Sequence, residues 1–324
     1  MGRRSRGGAL LVACAAALAG LVPSVSGSSG LGTPIVQPDT GFAPIYALIA
    51  SAKHSLDMTM YELKDPKAEQ ALIADAARGV AVRVLLDQAF SGATVNKAAF
   101  ANLKAHGVSV QPASTQVAIT HQKSFVIDKK KAVIMTGNLT SQYYSTSRDY
   151  ALTDTKKADV AAIETTFGLD WANAKGTAPA GADLVWSPGA QAPLVALIAS
   201  AKHTLQIENE EMSSTAIVNA LVAAAKKGVD VRVVMTDQTS WHKSFDALKA
   251  AGVEVRTYAA SAKLYIHAKT IAVDGTRVFL GSQNFSTSSL QENRELGLVT
   301  TTKAVVQTVA MTFAKDFAGA APWS

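Results

Sequence analysis

Two short segments place a histidine two positions before a lysine and end at an aspartate. They are residues 121–128, which read HQKSFVID, and residues 267–274, which read HAKTIAVD. The apolar residues inside each segment predict a β-strand that ends at an aspartate turn. Because residues two apart on a strand point to the same side, each imidazole should lie beside an ammonium group. An imidazole can attack or protonate a phosphate ester while an ammonium neutralises its oxygens, so the pattern indicates phosphate chemistry.

An asparagine follows each segment at the same spacing. The first copy continues into MTGN, which ends at Asn138, and the second continues into GSQN, which ends at Asn284. Their side-chain amides are neutral donors for phosphate oxygens. One match of this kind can arise by chance, but a second copy with the same following asparagine indicates a duplicated site. Compared with GSQN, the segment MTGN has its glycine at a later position and a threonine in place of the serine. This difference suits two histidines with unlike roles.

Cleavage of a phosphodiester by displacement needs a nucleophile, a proton for the leaving alcohol and positive charge around phosphorus. Two imidazoles can divide the first two roles if their protonation states differ. An imidazole in such a role needs a carboxylate at its other ring nitrogen, which sets its tautomer. Asp149 and Glu295 follow the two asparagines at matched spacing and are the candidates. The alternative is that they are solvated acids beside Arg148 and Arg294.

The flanking segments repeat as well. Residues 43–56 read APIYALIASAKHSL, and residues 192–205 read APLVALIASAKHTL. In both parts amphipathic helices alternate with apolar strands such as residues 80–86. This alternation predicts an α/β fold made of two homologous α/β sandwich halves. The halves should pack about a pseudo-twofold axis that brings both motif strands to one cleft.

The halves are predicted at residues 38–173 and 191–324, with a Gly/Ala/Pro-rich linker at 174–190 between them. A flexible Gly/Ser/Pro-rich spacer is predicted at 27–37. Residues 1–26 predict a secretory signal peptide, because a basic start precedes an apolar run at 9–22 and small residues that suit cleavage. That run is too short to favour a membrane-spanning helix. The expected location is therefore outside a bacterial cell or in its envelope.

Composition narrows the class of function. The only cysteine of the sequence, Cys14, lies in the predicted signal peptide, so the rest of the chain has neither disulfides nor a cysteine-based metal site. Histidines are sparse as well, and neither a metal nor a cofactor is predicted. The formal charge of +6 falls when the arginines of the signal peptide are removed. The mildly basic remainder permits lipid or nucleic-acid substrates but lacks a strongly basic nucleic-acid footprint.

The duplicated motif resembles that of the phospholipase D superfamily, whose members carry HxKxxxxD twice in one chain or once in each half of a dimer. The resemblance covers nearly the whole chain after the signal peptide. It implies a covalent phosphohistidine intermediate, in which His121 attacks phosphorus and His267 acts as acid and base. It also implies that the orienting acids pair across the halves, Glu295 with His121 and Asp149 with His267.

Other residues are expected to have supporting roles. The phosphoryl oxygens would be held by the lysines and asparagines of both copies: Lys123, Lys269, Asn138 and Asn284. By resemblance, Asp128 and Asp274 would be structural and bond nearby backbone or lysine. Three candidates for substrate contact at the cleft are Tyr61, Glu210 and Trp241. The first two follow equivalent strands, whereas the tryptophan would be either a rim aromatic or packed on the surface.

These observations predict a secreted phospholipase D, which cleaves phosphatidylcholine or a related lipid to phosphatidate and the head-group alcohol. Transfer to added alcohols would be a side activity. The alternative is a metal-independent endonuclease of the same superfamily, which the compact length favours. A non-catalytic lipid- or nucleic-acid-binding module fits poorly, because both copies of the histidine, lysine and asparagine are intact. As a fused dimer, the chain should act as a monomer that contacts a membrane surface transiently.

Overall fold

The computed structural model describes residues 30–90 and 92–324. The signal peptide predicted at 1–26 and the start of the predicted spacer lie outside these residues. Within them, no helix is both long enough and apolar enough to cross a membrane.

The first half alternates helices and strands. Its elements are β1 (Ile35–Gln37), α1 (Ala43–Ala50), β2 (Ser55–Met60), β3 (Leu63–Lys64), α2 (Pro66–Ala77), β4 (Ala81–Leu86), α3 (Gly92–Val95), α4 (Lys97–Ala105), β5 (Ser109–Pro112), β6 (Lys123–Ile127), β7 (Lys131–Met135), β8 (Leu139–Thr140), β9 (Ser147–Asp154) and α5 (Lys157–Trp171). α2 begins at Pro66 behind Asp65, whose side chain accepts the Lys67 N–H, and it ends before Gly79 at φ 92°. Proline at the first helical position and glycine after the last are the residues expected at these ends.

The second half repeats this order. Its elements are β10 (Leu184–Ser187), α6 (Gln191–Ala199), β11 (Thr204–Glu208), α7 (Thr215–Lys226), β12 (Asp230–Thr236), α8 (His242–Ala250), β13 (Glu254–Tyr258), β14 (Tyr265–Ile266), β15 (Thr270–Val273), β16 (Arg277–Gly281), α9 (Thr287–Gln291), β17 (Glu295–Thr300), α10 (Lys303–Gly319) and β18 (Ala321–Pro322). α7, the counterpart of α2, begins behind Ser214, whose hydroxyl accepts the Ile217 N–H, and ends before Gly228 at φ 87°. The two helices therefore start and stop by the same kinds of residue.

Each half contains an eight-stranded mixed sheet among the described residues. The first has the order β1-β9-β7-β6-β2-β4-β5, with β14 of the second half added to β9, and the second has the order β10-β17-β16-β15-β11-β12-β13-β18. The motif strands β6 and β15 are antiparallel to both neighbours, while β2-β4-β5 and β11-β12-β13 run parallel. The predicted α/β fold of two repeated halves is confirmed.

Both faces of each sheet are buried. In β6, Phe125 and Ile127 face the core formed with the helices of the first half, whereas Val126 faces a central core that contains residues of both halves. In β15, Ile271 packs in the core of the second half and Ala272 in the central core. Such burial on both sides explains why these strands read as near-continuous apolar runs. The central core joins the two halves.

Two segments predicted as irregular contain strands. β1 lies in the spacer predicted as flexible at 27–37 and pairs with β9, while β10 lies in the linker predicted at 174–190 and pairs with β17. Val36, Leu184 and Val185 are buried there. The Gly- and Pro-rich surroundings of these short apolar runs did not indicate strands. Their partner strands are distant in sequence, so no local pattern revealed the pairing.

Candidate active site

The chain before each motif strand crosses to the other half. Thr120 forms a parallel bridge with Arg294, and the His121 N–H donates to the Arg294 carbonyl at 3.0 Å. In the second copy, β14 pairs in parallel with β9 of the first half. Each histidine is thereby brought beside the acid of the opposite half. Both predicted pairs between a histidine and an acid are present.

The ring of His121 is held by one carboxylate. Its Nδ1 lies 3.0 and 2.9 Å from the two carboxylate oxygens of Glu295. Glu295 is fully buried and also accepts the hydroxyls of Ser282 and Ser289, each at 2.6 Å. Nδ1 must therefore carry the proton, and in a neutral ring this leaves the lone pair on Nε2. An imidazole with an unprotonated Nε2 is the form that can attack phosphorus.

The ring of His267 lies between two carboxylates. Its Nδ1 lies 2.8 Å from Asp149 Oδ1, and its Nε2 lies 3.2 Å from Glu210 Oε2. Asp149 therefore accepts from Nδ1, while the Glu210 carboxylate lies close to Nε2, the position where a transferable proton would sit. Asp149 is held by the Thr136 hydroxyl at 2.7 Å, and a Cβ at Gly137 would lie 2.5 Å from its carboxyl carbon. His267 is therefore set to give up a proton.

Burial and neighbouring charges shift the ionisation of the first-half groups. Burial, together with the charges of the two motif lysines, lowers the pKa of His121 although the Glu295 carboxylate acts to raise it. Burial also lowers the pKa of Lys123 to about 7. Burial raises the pKa of Glu295, but the charge and hydrogen bond of His121 bring it below its usual value. At neutral pH His121 is therefore neutral and Glu295 is ionised, which is the state that attack requires.

The two lysines lie beneath the histidines and not beside them on a strand. β6 begins only at Lys123 and β15 only after Lys269, so His121 and His267 precede the predicted strands. Each lysine is fully buried, and its ammonium donates at 2.5 Å to the carbonyl of its own motif's histidine. The strands start later than predicted because the chain at each histidine pairs with the opposite half. The buried ammonium groups place positive charge under the site.

The asparagines reach the same cavity. Asn138 and Asn284 both line it, and the Asn284 amide nitrogen lies 3.3 Å from Glu210 Oε2. The Oδ1 atoms of both asparagines are buried and make no hydrogen bond to another described residue. Because both side chains line the cavity, their amide nitrogens can donate to a phosphoryl oxygen there.

Asp128 and Asp274 bind backbone outside this cavity. Asp128 accepts the N–H groups of residues 53–55 at 2.7 to 3.1 Å. Asp274 accepts those of residues 202–204 at 2.8 to 3.3 Å. Both aspartates adopt positive φ, 52° and 50°. They make the backbone contacts that the resemblance implies, and they tie the end of each motif strand to the start of its neighbour.

A cavity of about 610 Å³ lies over both histidines. Tyr61 and Glu210 line it, and the Tyr61 ring meets the His121 ring edge-on with 4.7 Å between centroids. Trp241 does not line it, which corrects its place among the substrate-contact candidates. It ends a short turn, Thr239–Trp241, and its apolar ring packs against the second-half core. Among the described residues, no group of three or more His, Cys, Asp and Glu side chains is placed to hold a metal ion.

The family model described as "Cardiolipin synthase, PLD-like domain" matches residues 45–171 and 194–317. One matched segment lies in each half, and together they cover most of the chain. The chain belongs to the phospholipase D superfamily. The resemblance drawn from the duplicated motif is confirmed.

Several proteins show how this phospholipase D superfamily chain relates to others. A cardiolipin synthase of Listeria monocytogenes is 25% identical in an alignment 322 residues long, which spans 85% of this chain and 66% of the synthase. The mitochondrial cardiolipin hydrolase of Xenopus tropicalis is 32% identical over 123 residues, or 37% of this chain and 57% of the hydrolase. A crystal structure of phosphatidylserine synthase from Haemophilus influenzae covers 93% of this chain and 90% of its own, with a TM-score of 0.71 and 11% identity. This last likeness concerns the fold.

Two hydroxyls of the phospholipase D superfamily site were not predicted to have a role. The Thr136 hydroxyl donates to Asp149, and the Ser282 hydroxyl donates to Glu295, so each acid is bound by a hydroxyl of its own half. The two occupy equivalent positions, two residues before an asparagine. That matched spacing was the available signal for a second layer of orienting groups.

The arginines before the two acids also have partners that the sequence did not indicate. Arg148 is fully buried and binds Asp316 of α10 through two nitrogens, at 2.5 and 2.9 Å. Arg294 binds Asp170 of α5 in the same way, with both distances at 2.9 Å. Each arginine therefore ties its strand to a helix of the other half, and the alternative of solvated acids beside these arginines does not hold.

Proposed function

We propose that this chain is a phosphodiesterase of phospholipase D type, which acts on phospholipids through a phosphohistidine intermediate. The unlike carboxylate surroundings of the two imidazoles carry the proposal. His121 has one carboxylate, bound at Nδ1, whereas His267 has one carboxylate bound at Nδ1 and a second 3.2 Å from Nε2. Displacement at a phosphodiester needs one imidazole to attack and one to give a proton, and both line one cavity.

In the first step, Nε2 of His121 forms a bond to phosphorus while the bond from phosphorus to the head-group oxygen breaks. His267 gives its Nε2 proton to that oxygen, so the head group leaves as a neutral alcohol. In the second step, His267 takes a proton from water or an acceptor alcohol, whose oxygen attacks phosphorus and breaks the phosphorus–nitrogen bond. The buried ammonium groups of Lys123 and Lys269 neutralise the phosphoryl oxygens in both steps.

The cavity lining favours a phospholipid over a nucleic acid as the substrate. Aromatic rings and carboxylates are prominent among its residues: Phe42, Tyr61, Tyr143, Tyr144, Tyr265, Glu62, Glu210 and Glu211. Among the described residues that line it, Lys263 is the only lysine or arginine. Nucleic-acid sites neutralise a row of phosphates with lysine and arginine. Aromatic rings beside carboxylates instead suit a cationic head group such as choline.

Transfer of the phosphatidyl group to an alcohol is part of the proposal. The likeness to a cardiolipin synthase supports it, because a synthase joins the transferred group to an acceptor and does not release it to water. The second step is then the same reaction with an alcohol in place of water. We also propose that the protein is exported and acts as a monomer at a lipid surface. The predicted signal peptide and the presence of both motifs in one cavity support this.

Product release by the purified protein, with a chelator present, tests the proposal. Separate samples contain phosphatidylcholine micelles with and without ethanol, phosphatidylglycerol vesicles, and single- and double-stranded DNA. His121→Ala and His267→Ala are the controls. We expect choline release, and phosphatidylethanol when ethanol is present, with both products lost in both variants. DNA cleavage without any lipid product would instead make the chain an endonuclease that uses the same residues.

A further inference from the structure

Glu210 lies among the groups that the proposed mechanism offers to a phosphoryl oxygen. Its Oε2 lies 3.2 Å from His267 Nε2, 2.9 Å from the Lys269 ammonium and 3.3 Å from the Asn284 amide nitrogen. Its other carboxylate oxygen accepts the Tyr265 hydroxyl at 3.2 Å. The histidine, lysine and asparagine of one motif thus converge on a carboxylate of the protein itself. We call His267, Lys269 and Asn284, together with the space between them, the second phosphoryl site.

The equivalent position of the first half carries an aromatic residue. The repeat aligns SLDMTMYE, which contains Tyr61, with TLQIENEE, which contains Glu210. The Tyr61 ring lies 5.1 Å from the Lys123 ammonium and packs edge-on against His121. The carboxylate bound to the His121 ring, Glu295, meets it at Nδ1. The duplicated motifs therefore differ most where a phosphoryl group would bind.

Glu210 and a substrate phosphate compete for the same donors. Burial raises the pKa of Glu210, but the charges of His267 and Lys269 outweigh burial and hold it far below its usual value. The carboxylate is therefore ionised. Because like charges a few ångströms apart repel strongly, an anionic phosphoryl group cannot share the second phosphoryl site with it.

We infer that Glu210 fills the second phosphoryl site in the free protein, holds the contact with Nε2 of His267, and leaves when the substrate phosphate binds. The inference rests on the proposed phosphodiesterase function. The Glu210 side chain is 23% exposed and lies in the loop between β11 and α7, so rotation of its own torsions frees the site. The phosphate then takes over the contact with Nε2. Glu210 is thus a positioning residue for His267 and a competitor of the substrate.

The pH dependence of kcat/KM provides a readout that a merely structural carboxylate would not change. The ionisable groups around Glu210 come from both halves: His121, Lys123, Asp149, Glu211, Tyr265, His267, Lys269 and Glu295. Since kcat/KM reports ionisation in the free enzyme and the Glu210 charge raises the pKa of Lys123, loss of that charge should move the alkaline limb, which Lys123 sets near pH 7, to lower pH. The emptied site should at the same time bind phosphate more tightly.

The test is the binding of orthophosphate to the wild type, Glu210→Gln and Glu211→Gln, measured by calorimetry at neutral pH. Glu211→Gln is the matched control, because it removes a neighbouring carboxylate from the same cavity. We expect Glu210→Gln to bind orthophosphate at least about tenfold more tightly than the wild type, and Glu211→Gln to change much less. Equal affinity in the wild type and Glu210→Gln would overturn the inference, and so would equal tightening in both variants.

A second measurement follows kcat/KM of Glu210→Gln on phosphatidylcholine against pH. We expect a lower KM together with an alkaline limb shifted to lower pH, and an unshifted limb would contradict a charged Glu210 in the second phosphoryl site. Thermal melting of each variant shows whether it is folded. Phosphate binding requires no turnover, so a failure of this inference is distinct from a failure of the proposed function, which choline release and the histidine variants test separately.

Discussion

Replacement of Glu295 by glutamine tests whether a buried carboxylate sets the tautomer of His121. Glu295 has no exposed surface and accepts hydrogen bonds from His121, Ser282 and Ser289. Glutamine keeps the shape but puts an NH2 group where one carboxylate oxygen was, so a donor faces a donor. His121 can relieve this by moving its proton to Nε2. That change removes the lone pair that attacks phosphorus.

The expected loss is large. A hydrogen bond to a charged group contributes about 1.5 to 3 kcal/mol, which is roughly 10- to 150-fold in rate. A wrong tautomer adds to this, and the same exchange behind the histidine of a serine protease lowers turnover about 10⁴-fold. We therefore expect Glu295→Gln to form the phosphoenzyme about 10³-fold more slowly than the wild type. Asp149→Asn is the matched variant, because it changes the acid behind His267 in the same way.

The assay is single-turnover formation of phosphohistidine, stopped by rapid quenching, with two substrates. Choline in phosphatidylcholine needs a proton to leave, whereas a nitrophenolate in bis(p-nitrophenyl) phosphate leaves without one. Asp149→Asn weakens the acid, so the activated substrate should recover most of its rate. Glu295→Gln weakens the nucleophile, so both substrates should remain slow.

Two results would refute this reasoning. One is formation of the phosphoenzyme by Glu295→Gln at the wild-type rate. The other is equal recovery of both variants by the activated substrate, since that would assign the two histidines the same role. Melting curves accompany the kinetics, because an amide buried among donors also lowers the free energy of unfolding.

Three further predictions concern single positions. In a pH–rate profile, the rate of the wild type should fall as pH rises through about 7, because Lys123 loses its charge there. Lys123→Met should be about 10²-fold slower and should lack this fall. Asp128→Ala and Asp274→Ala should each lower the free energy of unfolding by about 1 to 2 kcal/mol in denaturant titrations. Burial raises the pKa of both aspartates, but the backbone hydrogen bonds outweigh it and lower the pKa. The stability that these bonds contribute is therefore present above the unfolded pKa and is lost as pH falls through the lower folded pKa. Equal acid sensitivity of the wild type and the variants would contradict this prediction. Gly137→Ala should displace the Asp149 carboxyl and lower kcat about 10²-fold, and wild-type kcat would contradict the close approach.

Local patterns made most of the fold predictable. Apolar strands such as β6 alternate Phe125 and Ile127 with Val126 between two cores, and such runs between helices are properties of the sequence itself. β1 and β10 escaped prediction because they are short and are stabilised by antiparallel partners far along the chain. Trp241 was offered as a cleft residue because its type suits a rim, yet its apolar ring gains more by packing on the core.

By itself, the sequence determined which residue types form the site, that the site is duplicated, and that a strand begins beside each histidine. It did not determine which acid serves which histidine; the crossed pairing was implied by family resemblance, since spacing alone allowed pairing within a half. The tertiary structure decided this, because His121 and Glu295 are 174 positions apart and meet only where the chain crosses to the opposite half. It also decided that a carboxylate, Glu210, faces His267 while an aromatic ring faces His121. Contacts between distant segments depend on how the sheets pack, and a local pattern contains no information about them.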